Sequence, residues 1–257
     1  MHHPDSLYHL TVLTGASRGM GLAMAEQLLR PGHLLLCMAR HTNADLAQQA
    51  ARLGAPLEQW RQDLSHSTEA AERLRAWLAA QPPGRIASAT LINNAGVIPR
   101  IAPLSASDPA DLANALRVGL EAPLLLCAAF LGATEDWQVP RKVLNISSGL
   151  GRRAMASQAA YCAAKAGMDH FTRCLALDET PKPNGAKVCS LAPGVIDTEM
   201  QIQLRGTHPA AFPDAPSFAS LKMAGQLTPA ATAAARVLGW LERPDFGAHP
   251  VADVRET

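Results

Sequence analysis

The sequence predicts one doubly wound α/β domain built on a parallel sheet of six or seven strands. Two observations carry that expectation. Apolar, β-type runs alternate along the chain with helical patterns of about ten residues or more, which implies parallel pairing through right-handed crossovers. No internal repeat, low-complexity linker or composition break divides residues 1–257, so the chain reads as a single domain.

The elements follow in order. Leu7 to Thr14 is a first strand, and Gly21 to Arg30 a helix stopped by Pro31-Gly32. His33 to Ala39 is a second strand, Asn43 to Leu53 a helix ended by Gly54, and Leu57 to Arg61 a short strand. Ser67 to Ala80 is helical and precedes a strand at Ala87 to Asn93. Asp108-Pro109 pairs an N-cap acid with a first-turn proline and opens a helix to about Leu131. Strands at Lys142 to Ser147 and Lys187 to Ala192 flank a long helix, Ser157 to Glu179. A helix near Pro229 to Glu242 and a last run, Ala248 to Val254, complete the chain. Gln201 to Gln226, rich in Pro, Ala and Ser, is the least regular stretch, either a lid over a site or a surface excursion.

Composition narrows the function. Apolar residues make up 48% and charged residues 18%, enough for a large core and against disorder. A net charge of +1 without a basic run argues against nucleic acid. No apolar stretch reaches the roughly 20 residues of a membrane span. Met1-His2-His3-Pro4-Asp5 lacks the apolar segment of a signal peptide, and its two histidines are too few to suggest a metal. The five cysteines form no C-x-x-C pair and read as reduced, mostly buried thiols of a cytoplasmic protein.

Three local patterns carry chemistry. Thr14-Gly15-Ala16-Ser17-Arg18-Gly19-Met20-Gly21 lies between the first strand and its helix. Glycines there permit a tight turn and close approach of backbone to a pyrophosphate, and the helix N-terminus attracts the anion. The second strand ends in Ala39-Arg40-His41, with no acid to hold a ribose 2′-hydroxyl; Arg40 and Arg18 are suited to a 2′-phosphate, so NADP(H) is the expected cofactor. Tyr161 and Lys165 share a helix face at i and i+4, where the ammonium is expected to lower the phenol pKa for proton transfer. Ser148, just past a strand end, is placed to hydrogen-bond a substrate carbonyl, with Ser147 as the neighbouring candidate.

Together TGASRGMG (14–21), NNAG (93–96), NISS (145–148), YCAAK (161–165) and APGVIDTEM (192–200) resemble the short-chain dehydrogenase/reductase family over essentially the whole chain. The resemblance implies catalytic roles for Ser148, Tyr161 and Lys165. It also implies a cofactor bed of Gly15, Ser17, Arg18, Gly19, Met20 and Gly21, with Asp63 and Leu64 at the adenine and Asn94, Ala95 and Gly96 along the ribose. Pro193, Gly194, Val195, Ile196 and Thr198 would face the nicotinamide. The second half resembles the family's bacterial benzil reductases, relatives of sepiapterin reductase, which reduce one carbonyl of a 1,2-diketone. The implied activity is NADPH-dependent reduction of a small carbonyl compound, with Leu150, Met155, Ile196 and Met200 as candidate apolar walls. Asp253 aligns with the aspartate that anchors the pterin in sepiapterin reductases, which keeps pterin reduction as an alternative; the other reading for Asp253 is a cap on the last strand. A homodimer or homotetramer is implied by the helices that match the family's assembly helices.

One departure stands out. Gly119 occupies the position of the family's relay asparagine, and Pro123 is expected to leave the Gly119 carbonyl without a helical partner. That departure is the sole support for a third reading, a non-catalytic NADPH-binding regulator.

Overall fold

The computed structural model describes residues 7–256. The Met1 to Asp5 segment lies outside them. Seven parallel strands form one sheet in the order β3-β2-β1-β4-β5-β6-β7. They are β1 (Tyr8–Thr14), β2 (His33–Ala39), β3 (Leu57–Arg61), β4 (Ile86–Asn93), β5 (Arg141–Ile146), β6 (Lys187–Ala192) and β7 (Val251–Asp253). Their continuous apolar runs make sense because both faces are covered. Along β2, Leu35 and Cys37 join one core while Leu36 and Met38 join the other. Helices α1 (Gly19–Leu28), α2 (Ala44–Leu53) and α9 (Ala230–Leu241) cover the first face. Helices α3 (Ser67–Ala79) and α5 (Ala122–Ala133) cover the second, with α6 (Ala159–Glu179) beside them.

The sequence marks several ends accurately. Asn43 caps α2 by accepting from the Leu46 N–H at 2.9 Å, and Gly54 closes it in the left-handed region at φ 63°. Asp108 accepts from the Ala110 N–H at 2.9 Å and starts α4 (Pro109–Leu116). Other ends differ. Helix α1 begins two residues before the expected Gly21, because Arg18 is already the extended residue outside the helix. Helix α6 begins at Ala159 rather than Ser157, because Ser157 sits at φ 59°, outside helical geometry.

The Gln201–Gln226 stretch is more ordered than its composition suggests. It holds most of α7 (Glu199–Gly206) and all of α8 (Ala215–Met223). Leu204, Phe212 and Ala215 pack there with Ile101 in a third apolar cluster, apart from the sheet. Their short, proline-interrupted spacing hides that packing from a periodicity search.

Helix α4 continues through a π turn (Arg117–Glu121) into α5, giving one 25-residue helix, Pro109–Ala133, apolar enough by composition to cross a membrane. Sequence reading found no such stretch, because charged Arg117 and Glu121 interrupt the run. Leu126 and Phe130 on this helix are fully buried in the second core, which accounts for its apolarity. Within the π turn the Ala122 N–H donates to the Arg117 carbonyl, an i→i−5 bond. The missing N–H of Pro123 falls just past this bond, where the turn gives way to α5.

The strand order reverses between β1 and β4, so the crevice of this fold opens at their carboxyl ends. The chain is locked there. Thr14 Oγ1 accepts from the Asn94 and Ala95 N–H groups at 3.0 Å, and Asn94 Nδ2 donates to the carbonyls of Thr14 and Gly15. Gly21 packs so tightly on this lock that a Cβ would collide with the Gly15 carbonyl oxygen and Asn94 Nδ2. Gly21→Ala is therefore expected to destabilise the fold by about 1–3 kcal/mol, as overpacking does. Thermal unfolding should show a Tm lower by about 2–4 °C per kcal/mol.

Candidate active site

A cavity of about 970 Å³ runs from the β1–α1 loop across the carboxyl ends of the strands to the start of α6. The glycine loop, Asn94 to Gly96, Ser148, Tyr161, Lys165 and the Pro193 to Ile196 turn all lie in its wall. Arg40, Asp63, Leu64 and Thr198 complete the set, so the structure gathers the sequence-derived site residues except Asp253 and the candidate wall residue Met155.

The loop end suits a dinucleotide. Arg18 makes no side-chain cap on α1, so the first N–H groups of that helix remain for a ligand. Gly15 takes φ 71°, and a Cβ there would strike Ala95 and Asn94, so the glycine lets the loop seat closely on that segment. Arg40 is exposed in the wall, and among the described residues no carboxylate pairs with it. Arg18 instead pairs with Glu199 at the start of α7, both side chains 66% exposed. That pair ties the glycine loop to the helical excursion across the mouth, and its exposure makes it easy to exchange for a phosphate.

The other end carries the titratable groups. Lys165, only 4% exposed, donates from Nζ to the Ile146 carbonyl at 2.6 Å. Burial pulls its pKa from 10.5 down to about 8, with Asp169 acting weakly in the opposite direction. Its Nζ stands 5.8 Å from the Tyr161 ring centroid. Tyr161 is itself buried, and burial raises its pKa, opposed by a hydrogen bond with Ser148. Cys162 adds to the rise, and Lys165 is not among the groups that act on the phenol, so the lowering expected from its ammonium is not seen. Ser148 is extended at φ −159°, and its Oγ accepts from the Leu150 N–H at 3.2 Å. Neighbouring Ser147 is also in the wall; its buried Oγ has no hydrogen-bond partner among the described residues.

Gly119 faces α6. A Cβ there would lie 3.1 Å from the Ala164 Cβ, so the glycine lets the π turn approach the helix between Tyr161 and Lys165. Leu150, Ile196 and Met200 line the cavity, whereas Met155 packs against the third apolar cluster behind it. Asp253 ends β7 with its carboxylate gripped by Arg255 Nε and Nη2 at 2.8 and 2.5 Å, and Arg255, not Asp253, reaches the cavity wall. Sequence reading missed Asn114, Arg153, Gln158 and Gln201 as wall residues. Glutamine and arginine on helix ends carry no spacing signal, and only the fold brings them together.

With this geometry in view, the comparisons converge. The short chain dehydrogenase family profile matches residues 9–208, and the chain belongs to that family of oxidoreductases. It is 31% identical over 235 residues to the benzil reductase ((S)-benzoin forming) of Bacillus cereus, covering 91% of this chain and 94% of the relative. It is 35% identical over 252 residues to the sepiapterin reductase of Meriones unguiculatus, covering 93% and 94%. A metagenomic short-chain oxidoreductase crystallised in complex with NADP superposes with a TM-score of 0.72 at 26% identity, covering 97% of this chain and 96% of that one.

The buried lysine gives a stability signature. Between pH 8 and 10.5 the unfolded chain holds a proton that folded Lys165 has released, so this group's contribution to stability rises with pH across that window. Lys165→Met removes the penalty. Its ligand-free Tm at pH 7 is expected to be higher by about 2–4 °C, the effect of 1 kcal/mol in a chain of this size. The rise in stability with alkaline pH should also flatten, as calorimetry at several pH values would show.

Proposed function

We propose that this chain is an NADPH-dependent reductase of one carbonyl of an apolar or aromatic 1,2-diketone. The observation that carries the proposal is the meeting of Ser148, Tyr161 and Lys165 in the wall of the cavity whose other end is the glycine loop. Similarity to benzil reductases over nine-tenths of the chain supports the substrate class. The acid-free end of β2, with Arg40 in the wall, supports NADP over NAD.

When bound, the reduced nicotinamide supplies the hydride for the carbonyl carbon. Tyr161 gives its phenolic proton to the carbonyl oxygen, and Ser148 donates a hydrogen bond to that oxygen as charge develops on it. The raised pKa of Tyr161 suits this direction, because the phenol stays protonated at neutral pH. Lys165 holds its charge beside the tyrosine and the ribose wall at Gly96, where an added Cβ would lie 3.9 Å from Nζ. Leu150, Ile196 and Met200 provide apolar contact for the substituents.

The pterin alternative draws on the sepiapterin reductase similarity. It is weakened by Asp253, whose carboxylate is engaged by Arg255 outside the cavity wall. The regulator reading is weakened by the complete catalytic set. Assembly into a homodimer or homotetramer is supported by Leu116, Leu124 and Leu177, which leave apolar surface exposed on α4, α5 and α6.

With benzil as substrate and NADPH absorbance as the readout, wild type is expected to turn over. Tyr161→Phe should lose at least about a hundredfold in kcat, the low end of what a positioned proton donor contributes, while still binding NADPH. Wild type inert toward benzil and 1-phenyl-1,2-propanedione yet active on sepiapterin would move the assignment to the pterin reading. Arg40→Ala should raise KM for NADPH by about tenfold and leave that for NADH nearly unchanged. The pH profile gives a further check: reduction should not lose its proton donor below pH 10, whereas alcohol oxidation should climb with pH as the phenolate forms.

A further inference from the structure

We propose that the catalytic end of the cavity holds a subsite for a carboxylate on the substrate, built by Arg153 and Gln158. The proposal deepens the carbonyl reductase reading and rests on it.

Gln158 is 1% exposed and forms part of the cavity wall. Neither its Nε2 nor its Oε1 has a hydrogen-bond partner among the described residues. A buried amide left wholly unpaired is uncommon and points to a missing ligand or water. It stands three residues before Tyr161, so a group bound to it sits close to the carbonyl being reduced.

Arg153 supplies the charge. Its neighbour Arg152 is committed, with Nε to Asp169 at 3.2 Å and Nη2 to the Ala252 carbonyl at 2.7 Å. The Arg153 guanidinium has no ion pair or hydrogen bond among the described residues, yet it lines the cavity. Its charge reaches Cys162, beside Tyr161, where burial raises the thiol pKa and Arg153 pulls against it. Arg255, the other arginine in this part of the wall, is already held by Asp253. Among the described residues the carboxylates in the wall are Asp63 and Glu199, and both are engaged elsewhere. Asp63 accepts from the Ser65 N–H in its own loop, and Glu199 pairs with Arg18. The reacting end thus lines the cavity with an exposed, unpaired guanidinium whose charge reaches Cys162, and with an unpaired amide on Gln158, whose main-chain carbonyl accepts from the Cys162 N–H at 2.8 Å. One cation and one amide donor match a planar, singly charged carboxylate better than a dianionic phosphate. Gln158 Oε1 then accepts from a water or a substrate hydroxyl.

The test compares kcat/KM with NADPH for two acid–ester pairs: benzoylformate against methyl benzoylformate, and benzil-4-carboxylate against its methyl ester. The expected result is an acid-to-ester ratio that falls about tenfold in Arg153→Met for at least one pair, mainly through KM, and largely recovers in Arg153→Lys. Gln158→Leu should lower the same ratio. Ratios in Arg153→Met equal to wild type for both pairs would overturn the subsite. If all four compounds prove inert, the reductase reading falls, and the subsite is judged by binding alone. Benzoylformate should then raise the Tm of the NADPH-loaded wild type and not of NADPH-loaded Arg153→Met. No rise in wild type would overturn it.

Discussion

The hydrogen-bonded crossing of Thr14, Gly15 and Asn94 is the constraint on which this structure depends. It joins the ends of β1 and β4 at the point where the strand order reverses. Two strands that diverge there would otherwise leave backbone donors and acceptors bare at the mouth of the crevice. Asn94, the residue after β4, binds the end of β1 three ways, with its main-chain N–H on Thr14 Oγ1 and its side chain on the Thr14 and Gly15 carbonyls. The α1 helix can then close down because Gly21 has no side chain to hold it away. The phosphate loop and the NNAG segment are therefore one structural unit, though some 70 residues separate them.

A second lock extends the unit toward Tyr161 and Lys165. Asn93 Nδ2 donates to Asn145 Oδ1 and Asn145 Nδ2 to Thr172 Oγ1, both at 2.9 Å, so β4, β5 and α6 share a buried polar chain. Asp169 accepts from Ser190 Oγ at 2.6 Å and adds β6. These contacts fix α6 against the sheet and with it the positions of Tyr161 and Lys165. Rigid seating allows an ammonium and a phenol to remain buried where each is costly. The hydrogen bond from Lys165 to the Ile146 carbonyl offsets part of that cost.

Much of this was legible in the sequence, and for identifiable reasons. Strands β2 and β6 could be read to the residue because a sheet covered on both faces leaves mainly apolar runs with polar stops. The meeting of Ser148, Tyr161 and Lys165 in one cavity was legible because a tyrosine and lysine one helical turn apart follow a serine at a strand end. What escaped depends on tertiary context. The polarity of Tyr161's environment is set by burial, which no local spacing records. The third apolar cluster joins Ile101 to Phe212 across more than a hundred residues. Gln158 is unremarkable on paper; its significance lies in what the fold withholds from it. Asp253 was open between a ligand group and a cap on the last strand, and only the fold shows its carboxylate bonded to the main chain and guanidinium of Arg255.

The π turn at Arg117–Glu121 has a consequence for how this segment tolerates change in length. A π turn holds one residue more than the α pitch accommodates, so it is the signature of an insertion absorbed inside a helix. Excising that residue would return the rod to α pitch and leave Pro109–Leu116 and Ala122–Ala133 on the faces they now present. Asn114 would keep its place in the cavity wall, and Leu126 and Phe130 theirs in the core. A gap of a single residue here would thus alter only the backbone around Val118 and Gly119, where the rod passes α6.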